Sequence, residues 1–211
     1  MAPHVPRLYL VTEPVTDADA VAPSLAAALS EGDIAAVLLR LATADERSLI
    51  NRIKALASLV QDRDAALILD GYPDLVARSG ADGAHLTGPE AFQAALPTLQ
   101  PGRIVGVGGL HTRHDAMLAG ETADYVMFGQ PEADTPPPLP VTLERVTWWA
   151  EVFQPPCVGY ANSLGEVEAI AAAGADFVAL GRFVWNHPDG PQAAIRASVQ
   201  AVAAAFVERV E

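Results

Sequence analysis

The sequence has a single cysteine, Cys157, among its 211 residues. An internal disulfide bond needs two cysteines, so a disulfide framework is excluded, and so is a zinc site built on several thiolates. Cys157 lies in an apolar run, where a free cysteine packs as a small buried hydrophobe. We therefore expect Cys157 to be structural and not a reactive thiol.

Basic residues are also scarce, since 13 Lys and Arg stand against 26 Asp and Glu and give a formal net charge of -13. Nucleic acids and anionic membranes are bound through a basic footprint, which this chain lacks. We therefore expect neither as a partner. An anionic ligand would have to be held by a local group of cations against the overall negative charge.

Long apolar runs are missing too, because no run approaches 18 residues, and the first seven residues lack the charged and then apolar form of a signal peptide. Aromatic residues make up only 6% of the chain, whereas hydrophobic residues make up 51% and alanine is abundant. This composition is typical of alanine-faced helices packed closely on a sheet. We expect a soluble, cytoplasmic protein with one core.

One short motif recurs along the chain, in residues 80–86 (Gly-Ala-Asp-Gly-Ala-His-Leu), 122–129 and 174–181, with a fainter copy in residues 32–40. In each copy an alanine-rich, helix-like segment ends at an Ala-Asp turn. An apolar run too short for anything but a strand then follows. Helix, turn and strand form half of a βαβ unit, so the repeat predicts a fold built from such units.

Eight strands and eight helices can be counted on this pattern. The strands are expected at residues 7–12, 34–40, 65–70, 83–86, 103–107, 124–129, 157–160 and 177–181. The helices are expected at residues 17–30, 44–61, 73–79, 89–96, 112–119, 142–153, 164–173 and 192–210. Because the strands are continuously apolar, both faces of a parallel sheet should be covered. We predict an α/β fold in which residues 1–211 form one (β/α)8 TIM barrel, with an open doubly wound sheet as the alternative.

Two segments need a separate interpretation. Residues 130–140 are proline-rich and acidic and too long for a routine loop between strand and helix, so we predict either a lid or a stiff spacer. Trp148 and Trp149 are adjacent in a predicted helix and cannot both face inward. One should pack on the barrel and the other should cover the surface, where a homodimer contact is one use for it.

The functional site of a (β/α)8 barrel lies in the loops that follow the carboxyl ends of the strands. The residues at these positions are therefore the candidates for binding a ligand. They are Glu13, Arg40, Asp70, Tyr72, His85, residues 108–111, Gln130, Tyr160, Asn162, Gly181 and Arg182.

Over its whole length the chain resembles the thiamine-phosphate synthase and thiazole tautomerase family of (β/α)8 barrels. The similar segments are residues 7–12 (Arg-Leu-Tyr-Leu-Val-Thr), residues 80–86, and Leu110-His-Thr112 followed by Ala-Asp-Tyr-Val-Met-Phe-Gly at residues 123–129. The last segment is most similar to the tautomerase branch. The resemblance implies a role in thiamine biosynthesis and a small phosphorylated heterocycle, similar to thiazole phosphate, as the ligand.

The synthase motifs of this family are altered in the sequence. The motif Gln-Leu-Arg-x-Lys after strand two reads Leu-Leu-Arg-Leu-Ala at residues 38–42, which keeps Arg40 but replaces the family's pyrimidine-binding glutamine and pyrophosphate-binding lysine. The motif after strand six reads Gly-Gln-Pro-Glu-Ala-Asp at residues 129–134, which is acidic. Departure of pyrophosphate requires its charge to be neutralised by metal and cations, so we expect severely weakened synthase activity.

The magnesium ligands implied by the resemblance are altered as well. Asn-Asp-Arg after strand three stands here as Asp-Gly-Tyr at residues 70–72, and a one-residue gap would restore Asp70 as a ligand. The second carboxylate falls at Glu90. Mg²⁺ is therefore expected only if synthase activity is retained, with Asp70 and Glu90 as the candidate ligands, and no other cofactor is expected. The spacing of Asp70, His85 and His111 does not support a different metal site.

The phosphate site implied by the resemblance also differs. The Gly-Gly after strand seven, whose backbone N–H groups hold phosphate in the family, stands here as Ala161 and Asn162. The Ser-Ala after strand eight stands as Arg182 and Phe183. The Arg182 guanidinium would bind phosphate in a bidentate manner, or else Arg182 and Phe183 would fill the pocket.

His111 is the candidate catalytic residue. In the tautomerase branch a histidine at this place is implicated in moving a proton on the thiazole ring, and a pKa near 6.5 suits proton transfer at neutral pH. The alternative is that His111 caps or hydrogen-bonds the loop before the next helix. His85 either faces the same pocket or bonds a backbone carbonyl. Our leading hypothesis is a barrel of this family that binds a ligand similar to thiazole phosphate and that, if it is active, transfers a proton through His111 in preference to the magnesium-dependent condensation. The alternative is a catalytically inactive barrel that binds a ligand or a protein.

Overall fold

A computed structural model describes residues 4–131 and 137–210 of the chain, which form a closed barrel of eight parallel strands. The strands are β1 Arg7–Val11, β2 Ile34–Leu39, β3 Ala66–Asp70, β4 Gly83–Thr87, β5 Ile104–Gly108, β6 Tyr125–Phe128, β7 Cys157–Ala161 and β8 Phe177–Leu180. They pair in chain order, and β8 closes the barrel by pairing with β1 from Arg7 opposite Phe177. The predicted (β/α)8 fold is confirmed.

Each strand is followed by a helix. The helices are α1 Ala18–Leu29, α2 Glu46–Gln61, α3 Pro73–Ser79, α4 Pro89–Leu99, α5 Arg113–Gly120, α6 Leu139–Val152, α7 Leu164–Ala172 and α8 Gly190–Val210. Within the described residues, no helix combines the length and the apolar character that crossing a bilayer would require.

Helix α6 begins at Leu139, three residues before the predicted start at 142. Pro140 belongs to its first turn, where proline fits because the N–H that it lacks would have no partner inside the helix. The predicted loop of residues 130–140 is therefore too long by two residues at its end. Residues 132–136 lie outside the described part of the chain, so a lid or a spacer at this place stays a prediction.

The aspartate of the repeated Ala-Asp turn has one structural role in three copies. Its carboxylate accepts a hydrogen bond from the backbone N–H that begins or lies near the start of the preceding strand: Asp82 from Leu67 at 2.7 Å, Asp124 from Val105 at 2.8 Å and Asp176 from Cys157 at 2.8 Å. The backbone N–H of each aspartate returns a hydrogen bond to the carbonyl of the same partner. The repeat therefore ties neighbouring strands together at the bottom of the barrel.

The fainter copy at Asp33 uses a different partner. Its carboxylate receives two hydrogen bonds from the Arg7 guanidinium, at 2.8 and 2.6 Å, and not one from a strand N–H. This side-chain pair lies at the start of β1 and β2, so an exposed ion pair joins the strands here, beside the hydrogen bond from the Leu8 N–H to the Asp33 carbonyl at 3.4 Å.

The strands separate two apolar layers because successive side chains alternate between the faces of the sheet. Leu8 and Leu10 of β1 join the large core between sheet and helices, whereas Tyr9 and Val11 face the barrel interior. The buried interior residues are Tyr9, Val11, Ala36, Leu38, Ile68, Tyr125, Met127, Val158, Tyr160 and Ala179.

Glycines make room for the aromatic rings inside the barrel. A Cβ at Gly106 would lie 2.0 Å from the Tyr125 ring, and one at Gly181 would lie 2.1 Å from the Tyr160 hydroxyl. Real Cβ atoms do not approach other atoms so closely, so Tyr125 depends on a glycine in the neighbouring strand β5 and Tyr160 on a glycine directly after the neighbouring strand β8. The interior is thus filled by a small number of large side chains opposite bare backbone.

The tryptophan pair and the cysteine behave as expected. Trp149 is fully buried and its Nε1 donates to the Pro155 carbonyl at 2.7 Å, while Trp148 is half-buried beneath the Arg113 guanidinium, 4.8 Å from its ring centre. Burial raises the pKa of the Cys157 thiol to about 12, so the thiolate is strongly disfavoured.

Candidate functional site

Side chains that continue the inward alternation past the strand ends gather at the carboxyl mouth of the barrel. There they line a cleft of about 250 Å³ between the ends of β1, β2, β7 and β8. It is lined by Val11, Thr12, Glu13, Arg40, Gln130, Pro131, Tyr160, Asn162 and Arg182. The structure therefore brings together six of the candidate ligand-binding residues, and we call this space the arginine cleft.

Arg40 is held firmly at the base of the arginine cleft. The Thr12 hydroxyl accepts its backbone N–H at 3.0 Å, and its Nε lies 3.5 Å from the Asp70 carboxylate. The two charged side chains are only 12% and 18% exposed, so their attraction is weakly screened by solvent. Arg40 is thus a pre-positioned cation whose charge is partly balanced by Asp70.

Arg182 lies at the rim of the same cleft. Its Nε donates to Glu13 Oε1 at 3.0 Å, which joins the loops after β8 and β1. The side chains are 73% and 42% exposed, and pairs this open to water contribute at most about 1 kcal/mol. The neighbouring Phe183 packs against the core between sheet and helices. Arg182 therefore borders the cleft in an easily broken ion pair.

Tyr160 forms the inner wall of the arginine cleft and is 6% exposed. Burial raises the pKa of its hydroxyl, and the positive charge of Arg40 opposes this rise. The hydroxyl also covers the bare backbone of Gly181, another predicted ligand-binding residue. Gly181 is therefore placed behind Tyr160 and not on an open wall.

A second cleft of about 210 Å³, which we call the histidine cleft, lies between the ends of β3, β4, β5 and β6. It is lined by Asp70, His85, Thr87, Gly108, Gly109, Gly129, Gln130 and Pro131. His85 is fully buried, and desolvation lowers its pKa to about 4. At neutral pH it therefore presents an uncharged imidazole to this cleft.

Within residues 4–131 and 137–210, the hydrogen-bond partner found for His85 is a side chain and not a backbone carbonyl. Its Nδ1 lies 3.1 Å from the Tyr125 hydroxyl, which lies 2.8 Å from the Tyr9 hydroxyl. Burial raises the pKa values of both tyrosines, so the three groups stay neutral. The buried hydrogen-bond network of Tyr9, Tyr125 and His85 closes the histidine cleft from below.

His111 lines neither cleft but a third cavity of about 180 Å³, which shares Gln130 with the arginine cleft and Gly109, Gly129 and Gln130 with the histidine cleft. Its side chain is exposed, and its backbone carbonyl accepts from the Arg145 guanidinium at 2.7 Å. Helix α5 is capped by Thr112 and Asp115, which bond each other's backbone N–H groups. The cap of this helix is therefore supplied by residues other than His111.

Two predicted residues lie at the edge of this arrangement. Tyr72 has a left-handed backbone, with φ of 52°, and its side chain packs against the core between sheet and helices. A non-glycine residue in this conformation costs free energy. Glu90 is in the first turn of α4. Neither residue lines the three cavities described above.

A family model described as thiamine monophosphate synthase matches residues 8–184 of the chain. The chain belongs to the thiamine monophosphate synthase family. A thiamine-phosphate synthase of Rhodospirillum centenum is 44% identical over 194 residues, which cover 90% of this chain and 94% of the relative. One of Hyphomonas neptunium is 35% identical over 201 residues, with 90% and 91% covered.

Solved structures support the same fold. The thiamine phosphate pyrophosphorylase of Pyrococcus furiosus superposes with a TM-score of 0.75 at 21% identity and covers 94% of this chain and 96% of its own. The 3-hexulose-6-phosphate synthase of Salmonella typhimurium superposes with a TM-score of 0.71 at 15% identity, with 94% and 99% covered. At these identities the likeness concerns the barrel and not its chemistry.

The family implies a magnesium ion, and the donor set at the mouth does not fit one well. Among the described residues no three His, Cys, Asp or Glu side chains cluster as metal ligands. Asp70 faces the Arg40 guanidinium at 3.5 Å, and Glu90 does not line the clefts with it. A divalent ion at Asp70 would therefore compete with a resident cation and depend on oxygens of the substrate.

Sequence reasoning missed several side chains of this mouth. The sequence pattern places Tyr9 and Tyr125 in apolar strands and predicts no role for Thr12, Arg145 or Glu166. The tyrosines could have been found from the period of two in a strand. Tyr9 has the same parity as Glu13 and Tyr125 the same parity as Gly129, so each tyrosine faces the barrel interior below a residue of the mouth. The partners of Thr12 and Arg145 come from other units of the barrel, so no local signal marks them.

Proposed function

We propose that the arginine cleft binds the phosphate of a small phosphorylated heterocycle used in thiamine biosynthesis. The observation that carries the proposal is that two guanidinium groups, Arg40 and Arg182, line one cleft in a chain with a net charge of -13. Planar guanidinium groups bind phosphate through paired hydrogen bonds. The exposed Glu13 pairing of Arg182 is weak enough for a phosphate to replace it.

We further propose that the reaction favoured by this site is a proton transfer through His111. The support for this step is that Gln130 lines both the arginine cleft and the third cavity, so a heterocycle that extends past Gln130 would approach the exposed His111. Condensation with loss of pyrophosphate asks for more positive charge than this mouth holds, since Asp70 and Glu13 already oppose its arginines. The relatives are named thiamine-phosphate synthases, so this condensation is the activity against which the proposed proton transfer has to be tested.

The test is a pair of assays on the purified protein. Hydroxymethylpyrimidine diphosphate, thiazole phosphate and magnesium are supplied together, and synthase turnover at ordinary family rates would contradict the proposal. In the thiazole tautomerase assay we expect turnover that His111→Ala abolishes. His114→Ala is the matched control, because His114 is an exposed histidine on the following helix.

The second candidate function is a catalytically inactive barrel that binds a ligand or a protein. It is favoured by the pairing of the cations at the mouth with the chain's own carboxylates. Clear tautomerase turnover by the wild-type protein, lost in His111→Ala, would eliminate it. A cytoplasmic location and a homodimer remain predictions from sequence.

A further inference from the structure

The backbone at the ends of β7 and β8 offers an anion site in many barrels of this architecture, because its N–H groups point at the mouth. In this chain the first of these donors is occupied. The Asn162 N–H donates to Glu166 Oε2 at 2.7 Å, and the Asn162 side-chain amide donates to the same oxygen at 3.2 Å. A carboxylate of the chain thus sits on donors that could bind a ligand anion.

The donors after β8 are covered in a different way. The Gly181 N–H bonds the Ala161 carbonyl at 3.2 Å, and the Tyr160 hydroxyl lies against the Gly181 backbone, where a Cβ would be 2.1 Å from it. Burial raises the pKa of this hydroxyl. Its oxygen accepts a hydrogen bond from the Arg182 backbone N–H, which opposes that rise. The space beside β8 is therefore filled by a ring from β7.

We infer that Tyr160 and Glu166 are specificity-determining residues that block the backbone anion site of β7 and β8 and leave phosphate binding to the side chains of Arg40 and Arg182. The inference rests on the proposed function, since it assumes that a phosphate binds in the arginine cleft. It also explains why a bare glycine at 181 does not open the wall, because Tyr160 occupies the space that the glycine leaves.

The consequence concerns the position of the ligand. A phosphate that cannot reach the β7 and β8 backbone must lie toward β1 and β2, next to Arg40 and the displaced Glu13. Its affinity then comes from exposed and half-buried charges, so it should fall steeply as salt is raised. A ligand that needs a deep phosphate seat at β8 is rejected.

The test is a calorimetric titration of inorganic phosphate into the full chain and its variants. We expect Glu166→Ala to bind phosphate about threefold more tightly or better, since it frees a backbone donor and removes a negative charge. Tyr160→Phe removes the hydroxyl that accepts the Arg182 backbone N–H, so it frees that donor and should change phosphate affinity in the same direction. Glu168→Ala is the matched control, because it removes an equal charge from an exposed position of the same helix.

The outcomes separate this inference from the proposed function. If Arg182→Met lowers phosphate affinity while Glu166→Ala matches Glu168→Ala and Tyr160→Phe does not gain affinity, the inference is wrong and the proposed function stands. If Arg182→Met leaves phosphate affinity unchanged, the proposed function is wrong. Glu166→Met, which keeps the length of the side chain but offers Asn162 no acceptor, replaces Glu166→Ala if circular dichroism shows that the alanine variant does not fold, and it should then gain affinity over Glu168→Met.

Discussion

The hydroxyl oxygens of Tyr9 and Tyr125 lie 2.8 Å apart in the interior of the barrel, and Tyr125 also contacts His85 Nδ1 at 3.1 Å. Inside the barrel, away from bulk water, each group depends on the others for its hydrogen bond. The network therefore couples the stability of the barrel to the shape of the histidine cleft above it.

Tyr125→Phe should destabilise the protein more than Tyr9→Phe. Loss of the Tyr125 hydroxyl leaves two buried groups without a partner, and each such group costs about 1–3 kcal/mol, whereas loss of the Tyr9 hydroxyl leaves Tyr125 bonded to His85. The free energy of unfolding in urea at pH 7 measures both. Equal losses in the two variants would show that the network is not centred on Tyr125.

The stability of the protein should fall between pH 6.5 and pH 4 because of His85. The pKa of His85 is about 4 in the folded protein, against the ordinary value of 6.5 that applies to the unfolded chain. Between these two values the unfolded chain binds a proton that the folded protein does not, so falling pH favours unfolding. A difference of this size corresponds to about 3 kcal/mol. The comparison is between urea unfolding of the wild-type protein and of His85→Gln at several pH values. Parallel pH profiles would mean that the folded imidazole is not held neutral.

Gly106→Ala should destabilise the barrel by about 1–3 kcal/mol, because the new Cβ would lie 2.0 Å from the Tyr125 ring and force it to move. Gly165→Ala is the matched control. Gly165 lies in α7 with open space around its Cβ position, so alanine there should be neutral or stabilising by up to about 1 kcal/mol. Thermal unfolding of the two variants gives the comparison, and similar melting temperatures would contradict the packing account.

The strand count could be predicted from the sequence because the Ala-Asp turn is repeated for a structural reason. Asp82, Asp124 and Asp176 each bond the strand that precedes them, so the motif marks the start of a strand wherever it occurs. The predicted start of α6 is wrong because the proline-rich composition of residues 130–140 favours a loop, although proline is well suited to a first helical turn, where Pro140 lies.

The site could be predicted only as a set of positions after the strands. Which of these face one another depends on closure of the barrel, and the Glu13 and Arg182 pair is separated by 169 residues in sequence. The interior position of Tyr9 and Tyr125 could not be predicted from hydropathy, because the strands are apolar on both faces. Their sequences therefore do not alternate between polar and apolar residues in a way that separates the inside of the barrel from the outside. The separation of His111 from the two clefts follows from the path of its loop, which no local pattern specifies.

Glu13→Gln should tighten binding of inorganic phosphate while changing the stability of the fold little. The substitution removes the anion that competes for Arg182, and an exposed pair such as this one contributes at most about 1 kcal/mol to folding. Phosphate titration and urea unfolding are measured on the same preparation. Weaker phosphate binding in Glu13→Gln would show that the carboxylate positions Arg182 and does not compete for it.

The most direct test of phosphate binding in the arginine cleft is a calorimetric titration of thiazole phosphate into the wild-type protein, Arg182→Met and Arg196→Met. Arg196 is the matched control, since it forms a similar surface ion pair with Glu31 at 2.9 Å. We predict that Arg182→Met weakens binding about tenfold or more, as expected for loss of a charged hydrogen bond, and that Arg196→Met binds as the wild type does. Equal affinity in all three proteins would contradict the account.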